Sequence, residues 1–516
     1  MHIMKTGKDV LLADDVLKYI HDYEMRCVPE MDSLWEYYLG KNIKIKGRKS
    51  TGDSNPDNKI SVSYGKKIVT TFTGYGYRPK YISISSAPNK DKTKTTEEKK
   101  AAIEGTSPYY DQLLKNYKLN NEHIKTSRAG RNFAIFGVAY ELIYIESNLQ
   151  IEEGLIVSKN VPRFFSVDPR EMIILYDYSP EPKKKIAIRF YKIDDTEGKV
   201  EVYYKDHTEI YTRKFKDENG AYKDSLKLEN SYINFTQDIP VASYYFGDEM
   251  NGVISSIVDL VDAYDTLISD SMNEFDRFAF AYMVMKKFGL TDQMKNKSQD
   301  VTDKAIKAIK RKRLFEFLPE GADISFLTKD IPTEFIQFMT TILRDQIHIQ
   351  SHVPDFTSDK MAGASGVAIQ RLLFDFENLM ASTEADFDVG LYERMTLISN
   401  LYTVSGGIEG IPEEEIVITH KRNTPLNLKE FADTALIMKH AGFSRYLIAN
   451  IMPDDIIPDV QEELDRQDED AKNALPDIEN MFGGNAQKQP VQGVAPQDEP
   501  PIVDETMLDE MDDVVE

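Results

Sequence analysis

The stretch HVPDFTSDKMAGASGVAIQ, residues 352–370, separates two segments whose apolar residues recur at helical spacing. Its second half contains GASG at 363–366, which is small and conformationally free. The segment after it predicts a long helix from about Gly366 to Tyr402. The apolar stripe of that helix consists of Ile369, Leu372, Leu373, Phe376, Leu379, Met380, Phe387, Leu391, Met395 and Ile398. The sequence therefore predicts a flexible bend that leads into a very long helix.

Two further helices are predicted before the bend. Asp330 and Pro332 suit the start of one that ends near residue 351. Upstream, residues 253–288 contain neither Gly nor Pro and predict a single helix of about 36 residues. The face opposite its apolar stripe carries Asp259, Asp262, Asp265, Asp270, Asn273, Glu274 and Asp276. Such a charge run is commonly a solvated face, but a helix this long with one acidic face is unusual in a compact enzyme domain.

A compact insert at 290–330 lies between these two helices. It contains a basic segment, DKAIKAIKRKR, which predicts a short helix, and two strand-like pieces, RLFEFLP and ADISFLT. The cations of the basic segment are Lys304, Lys307, Lys310, Arg311, Lys312 and Arg313. Their clustering favours an exposed contact surface, and a helix end that is simply solvated is the alternative.

In the N-terminal half, the spacing of apolar residues changes from the helical period to the period of two that is typical of strands. Residues 14–40 predict two short amphipathic helices around Pro29, closed by Gly40, followed by a basic Gly/Asn-rich loop. Residues 140–245 contain YELIYIE, EMIILYD, IAIRFYK, VEVYYK and EIYTRK, which alternate with period two and predict a largely antiparallel sheet. Between them, PNKDKTKTTEEKKAAIEG has the composition of a surface insertion. After the long helix we expect a strand in EEIVITHKRN and two short helices in LKEFADTALIMKHAG and SRYLIANIM.

Charge is concentrated at the C-terminal end. The 516 residues carry a net charge of -23, and residues 451–516 hold 20 acidic against 3 basic residues. The body is therefore nearly neutral, whereas the last forty or so residues predict a disordered acidic tail. The single cysteine, Cys27, fits folding in a reducing compartment. No run reaches about 18 uncharged apolar residues, so we expect neither secretion nor membrane spanning.

Catalytic and metal-binding motifs are largely absent from the sequence. The string MAGASGVA lacks the GK[ST] ending of a phosphate-binding loop. His348 and His352 are four residues apart but lack a general-base Glu between them, so surface or core histidines are the favoured interpretation. Neither G-x-S-x-G nor a regular carboxylate dyad is present. We expect a protein that is not an enzyme and that needs no cofactor or metal.

Five stretches, in this order and at these spacings, resemble the portal (head-to-tail connector) proteins of tailed bacteriophages, of the siphophage type. They are YIHDYEMRCVPEMDSLWEYYLGKNIKI, FGVAYELIYIE, SVDPREMIILYD, GVISSIVDLVDAYDTLISDSMNEF and VPDFTSDKMAGASGVAIQRLLFDFENL. The charged NKDKTKTTEEKK stretch and the tail depart from the pattern. The resemblance implies an α+β portal fold with long stem and wing helices, a mixed α/β wing, a small α/β clip and a helical crown.

The resemblance also assigns regions. They are an N-terminal region and wing at 1–250, a stem helix at 251–288, a clip at 289–330, a second stem helix at 331–351, a tunnel loop at 352–365, a long wing helix with its following strand at 366–426, a helical crown at 427–475 and an acidic tail at 476–516. A portal of this type is a dodecameric ring in the virion, at one capsid vertex, and is assembled in the host cytoplasm. Double-stranded DNA passes through it without sequence specificity.

Roles for residues and partners follow as expectations. The DNA tunnel would be lined by Asp359, Lys360, Met361, Gly363, Ser365, Asp262, Asp265 and Asp270. The basic cluster at 304–313 would contact the packaging motor or tail adaptor. Expected partners are further copies of the chain, the terminase large subunit, major capsid and scaffolding proteins, and a head-completion protein. The chief alternative is a capsid or scaffold-type assembly protein without a tunnel, and a nucleic-acid enzyme is the third class.

Overall fold

The computed structural model describes residues 3–49, 56–77, 82–86, 108–152, 155–216, 222–279, 282–286, 323–327, 332–357, 366–404, 416–420, 422, 428–452, 456–457 and 460–474. These residues form both helices and sheets, which confirms the α+β class. The chain divides into two units, 1–424 and 425–516. The charged insertion, the basic 304–313 cluster, the glycine-rich half of the bend and the acidic tail lie outside the described residues.

The described helices are labelled here in chain order. They are α1 (Ala13–Arg26), α2 (Val28–Tyr38), α3 (Ile43–Lys46), α4 (Tyr64–Gly76), α5 (Pro108–Asn120), α6 (Glu122–Phe136), α7 (Val258–Ala279), α8 (Thr333–Gln350), α9 (Gly366–Val404), α10 (Leu428–His440), α11 (Arg445–Ile451) and α12 (Val460–Ala474). Helices α1 and α2 confirm the predicted pair, and the left-handed Gly40 (φ 72°) follows them. Helices α8 and α9 confirm the helices on both sides of the bend.

The strands are labelled in the same way. They are β1 (Met4–Lys5), β2 (Ile82–Ser86), β3 (Val138–Glu152), β4 (Leu155–Val167), β5 (Met172–Tyr176), β6 (Lys184–Lys192), β7 (Glu197–Tyr203), β8 (His207–Lys216), β9 (Tyr222–Ile233), β10 (Val241–Tyr245), β11 (Tyr282–Lys286), β12 (Asp323–Leu327) and β13 (Ile416–His420). One sheet has the order β1-β5-β6-β7-β8-β9 and another the order β10-β3-β4. All pairs in them are antiparallel except β1 with β5.

All five predicted strands between 140 and 245 are present, but β4, β9 and β10 were not predicted. Strand β4 contains Pro162, which opposes Ile145 of β3. Proline is tolerated there because β4 lies at the edge of its sheet. Strand β9 has few apolar residues and is defined by its register on β8, with His207 opposite Ile233. A strand that is held mainly by pairing with its neighbour shows little alternation of apolar and polar residues, so its sequence did not predict it.

The predicted helix at 253–288 is shorter in the structure. Helix α7 ends at Ala279, and β11 follows. Strand β11 pairs antiparallel with β12, with Val284 opposite Ser325. The helical prediction for 282–286 was wrong because YMVMK suits either structure, and its partner strand is distant in sequence. Strand β12 confirms the prediction for ADISFLT, whereas RLFEFLP lies outside the described residues.

Helix α9 supplies a large part of the core of the 1–424 unit. Its buried side chains recur at helical spacing and include Phe376, Met380, Phe387, Leu391, Met395 and Ile398. Phe387 packs against the rings of Tyr77 and Tyr244 at centroid distances of 4.9 and 4.6 Å. Gly390 permits this contact with β10, since a Cβ atom there would lie 2.3 Å from the Tyr244 ring. The predicted apolar stripe thus becomes the packing surface for the helices and sheet around it.

Charged residues are also buried within this core. Arg394 of α9 is 1% exposed, and its guanidinium lies 3.3 Å from Glu141 of β3 and 3.2 Å from Glu122 of α6. Thr126 accepts a further hydrogen bond from Arg394 at 2.8 Å. Glu141 is 0% exposed and also accepts a hydrogen bond from the Tyr244 hydroxyl at 2.6 Å. The buried charges of Arg394 and Glu141 therefore compensate each other, and Glu122, which is partly exposed, adds a second carboxylate.

The 425–516 unit contains α10, α11 and α12. The first two confirm the predicted helices, and α12 was not predicted. Ser444 caps α11, because its hydroxyl accepts a hydrogen bond from the Leu447 amide at 3.2 Å. Arg445 of α11 pairs with Asp468 of α12 at 2.8 Å. The described residues of this unit are mainly helical, and they expose several large apolar side chains, among them Ile437, Phe443 and Tyr446.

Replacing Arg394 with Met should lower the free energy of unfolding by about 3–5 kcal/mol, because Glu141 would be left buried without a counter-charge. Urea unfolding measures this loss. Arg26→Ala is the matched control: its pair with Asp22 is exposed, so it should cost less than about 1 kcal/mol. If both variants lost the same free energy of unfolding, the Arg394 network would stabilise the fold no more than an exposed ion pair does, and the prediction would be wrong.

Candidate functional site

The acidic face of α7 lies against two stretches of the N-terminal region, 42–49 and 56–62, which we call the strap. Asp265 accepts hydrogen bonds from the Asn42 amide group and the Val62 backbone amide, both at 2.9 Å. Asp262 accepts a hydrogen bond from the Tyr37 hydroxyl at 2.6 Å and pairs with Lys44 at 2.5 Å. The carboxylates of α7 therefore hold the strap in place.

Pairing continues toward the end of α7. Arg48 donates to both oxygens of Asp270, at 2.7 and 3.1 Å. Asn58 of the strap donates through its backbone to Asn273 at 2.7 Å and through its side chain to Asp276 at 2.6 Å. The strap thus follows α7 for several helical turns.

This geometry corrects the expectation of an open acidic face. Asp262 is 8% and Asp265 is 0% exposed, so neither presents a charge to a channel. Burial raises the pKa of Asp265, which hydrogen bonds from Val62 and Asn42 partly offset. Asp270 is half-exposed and shares its charge with Arg48. Of the predicted lining residues on α7, only Asp270 retains an accessible carboxylate.

The strap was interpreted from sequence as a loop, and its residues were missed as a site. The composition could have suggested the contact, because GKNIKIKGRK is basic and the face of α7 is acidic. Complementary charge alone did not locate the contact, because the two segments are about 200 residues apart. The short helix α3 inside the strap, capped by the Asn42 side chain, is also a feature only of the folded chain.

The turn after α8 forms the first part of the bend, and its side chains are held tightly. Asp355 accepts hydrogen bonds from Lys67 of α4 at 2.9 Å and from the Thr357 hydroxyl at 2.6 Å. His348 of α8 lies 3.8 Å from Asp355 and shares a hydrogen bond with the Val353 carbonyl at 2.8 Å. We call His348, Asp355, Lys67 and Thr357 the loop anchor.

Protonation in the loop anchor follows from burial and pairing. Burial opposes the charge on Asp355, but hydrogen bonds from Thr357 and Lys67 outweigh it and hold the pKa of this carboxyl well below its usual range. Burial lowers the pKa of His348. A neutral imidazole at pH 7 donates from Nδ1 to the Val353 carbonyl. The anchor thus fixes residues 351–357 against α4 and α8.

The remaining predicted site residues are distributed as follows. Asp359, Lys360, Met361, Gly363 and Ser365 lie outside the described residues, as do Lys304, Lys307, Lys310, Arg311, Lys312 and Arg313. His352 is exposed with a left-handed φ of 54°. Within the described ranges, no group of three or more His, Cys, Asp or Glu side chains could hold a metal ion. No described helix is long and apolar enough to cross a membrane.

Comparison with known families defines the class of protein. Residues 16–477 match a family of phage portal proteins. The family is described as phage portal protein, SPP1 Gp6-like, and this chain belongs to it. The resemblance found in the sequence is thereby confirmed. No curated protein matches the chain. Membership implies a structural, non-enzymatic component of the virion capsid that forms an oligomeric ring through which DNA passes.

The loop anchor predicts a pH effect. Since burial lowers the pKa of His348 in the folded state, the unfolded chain binds more protons below its ordinary pKa of about 6.5. Stability is therefore complete above that pH and is lost as pH falls below it. His348→Asn should reduce this loss between pH 7.5 and about 5.5, measured by the thermal unfolding midpoint.

A matched control is His123→Asn, because His123 is an exposed histidine on α6. It should keep the pH dependence of the wild type. An unchanged pH dependence in the His348→Asn variant would contradict a buried neutral imidazole in the anchor.

Proposed function

We propose that twelve copies of this chain form a ring at one capsid vertex, and that the ring is the channel for DNA packaging and ejection. The observation that carries the proposal is the family match over 16–477 together with the order helix α7, insert, helix α8, bend and long helix α9. That order is the one the family resemblance assigns to stem, clip, second stem helix, tunnel loop and wing helix. Residues 427–475 would form the crown.

The loop anchor supports the assignment of 352–365 as the tunnel loop. A loop that touches a moving duplex needs a fixed base, because otherwise force on its tip would displace the helices beside it. Residues 351–357 meet this need through Asp355 and His348, both bonded within the chain. The residues beyond the anchor include Gly363, which can change φ and ψ at little steric cost.

Electrostatics favour passage of DNA over its capture. A channel lined by cations would bind phosphates and slow the duplex, whereas carboxylates repel it weakly. Asp270 is the accessible member of the predicted lining on α7. The Asp359 and Lys360 side chains would contribute from the loop. The net charge of -23 is consistent with weak overall attraction for DNA.

The ring would also be a docking site. We assign contact with the terminase large subunit, and later with a head-completion protein, to the clip at 289–330. The support is its cluster of six cations at 304–313 in an otherwise nearly neutral body. Major capsid and scaffolding proteins would surround the ring during assembly in the host cytoplasm.

Electron microscopy of the purified protein tests the ring. We expect closed rings of twelve copies with a central hole wide enough for double-stranded DNA. A matched test uses the double variant Lys310→Glu, Lys312→Glu, which should still form rings but should bind terminase or adaptor more weakly. Monomers, filaments or solid particles from the wild-type chain would exclude the ring.

The tunnel loop is tested by Gly363→Pro. Proline fixes φ near -65° and removes an N–H, so the loop should adjust less readily to passing DNA. Rings should assemble normally while packaged DNA length or its retention falls sharply. Gly363→Ala is the control, because it adds a methyl group without locking φ, and it should package nearly as the wild type does. Normal packaging by well-formed Gly363→Pro rings would refute the loop's role.

A further inference from the structure

An open groove of about 350 Å³ lies between α4 and α6. The α4 wall carries Thr70 and Thr73, and the α6 wall carries Ser127, Arg128 and Arg131. The Thr73 hydroxyl donates to the Val69 carbonyl of its own helix at 2.8 Å, and Tyr38, Val69 and Ile124 complete the lining of the groove. The two arginines therefore give a partly apolar groove a positive charge.

The two arginines differ from Arg189, Arg213 and Arg394, which all have carboxylate partners. Neither Arg128 nor Arg131 has an ion pair with any described residue, and Nε of Arg131 is enclosed without an acceptor. By contrast, Arg213 pairs with Glu24 at 2.8 Å and with Asp224 at 2.6 Å. Arg189 and Arg394 also have an enclosed Nε, but each has a carboxylate partner. Two guanidinium groups without a carboxylate partner among the described residues leave positive charge uncompensated at the groove, which favours an anionic ligand.

Neighbouring groups orient Arg131 without neutralising it. Its guanidinium lies over the Trp35 ring, 5.7 Å from the centroid. Asp168 lies close enough for Arg131 to influence its ionisation, but its carboxylate is held by Arg170 at 2.6 Å. The positive charge of Arg131 is therefore positioned by stacking and remains available in the groove.

We propose that this groove binds a phosphate group. The planar fork of arginine matches phosphate oxygens, and Ser and Thr hydroxyls are common additional donors to them. An open groove fits a phosphodiester backbone or free phosphate, which share this chemistry. The proposal goes beyond the DNA channel, because the groove is formed by α4 and α6 of a single chain and does not need the ring.

The experiment uses the full-length chain and two probes, a short double-stranded DNA and inorganic phosphate. Fluorescence anisotropy measures DNA affinity at several salt concentrations, and titration calorimetry measures phosphate binding. Arg128→Gln and Arg131→Gln should each weaken binding about tenfold. For DNA, the double variant should reduce the slope of log affinity against log salt by about 2, since two phosphate contacts are lost. Arg131→Lys should recover only part of the loss, because the charge remains without the fork.

Lys115→Gln on α5 is the matched control, since it removes one exposed cation outside the groove. It should leave the affinity for both probes unchanged. Arg128 is exposed, so its variant keeps the test valid even if Arg131→Gln disturbs the packing on Trp35.

Each outcome decides the proposal. Loss of DNA affinity in the arginine variants identifies a nucleic-acid backbone as the source of the phosphate. Loss of inorganic phosphate binding alone identifies free phosphate as the ligand. Binding of both probes unchanged by the double variant, or absent from the wild type, would overturn the site. Electron microscopy of the double variant separates this result from the channel, because the rings should form whether or not the groove binds phosphate.

Discussion

The compensation of one buried positive charge connects the main parts of the 1–424 unit. Arg394 projects from α9 and contacts Glu141 of β3 and Glu122 of α6. Its guanidinium also lies 5.0 Å from the Tyr117 ring centroid of α5 and 4.9 Å from that of Phe164 in β4. Four elements thus depend on the position of a single side chain. Because a buried charge tolerates little displacement from its partners, this contact restricts how the helices and the sheet can pack.

Partly exposed ion pairs hold the strap and the chain after α9 against the rest of the 1–424 unit. The strap lies on the acidic face of α7 through Lys44 and Arg48, which are largely or partly exposed. Arg422, after β13, pairs with Glu377 and Glu384 of α9. These pairs are only partly buried, and each is weaker than the Arg394 network. Their number and their hydrogen-bonded neighbours nonetheless define where the N-terminal strap and the chain after α9 lie.

This distribution of contacts is consistent with the proposed channel for DNA. The core around α9 is dry and aromatic, and the loop anchor extends its rigidity to the start of the bend through Asp355 and Lys67. Beyond the anchor the sequence supplies small residues. In the proposed ring, these small residues would let identical loops adjust to DNA whose symmetry does not match that of the ring. The arginine groove on α4 and α6 adds a separate, positively charged surface to this frame.

The amino-acid sequence by itself determined the helices on both sides of the bend, the two N-terminal helices, most strands of the sheets and the portal family. These features depend on local periodicity and on turn residues such as Gly40 and Pro332, which act over a few positions. The tertiary structure alone decided that α7 ends at Ala279, where a distant strand pairs with YMVMK. It also decided that Asp262 and Asp265 are buried beneath the strap, and that Nε of Arg131 has no acceptor among the described residues. Exposure and pairing are properties of segments brought together from far apart in the chain, so helical periodicity identified the acidic face of α7 but not what covers it.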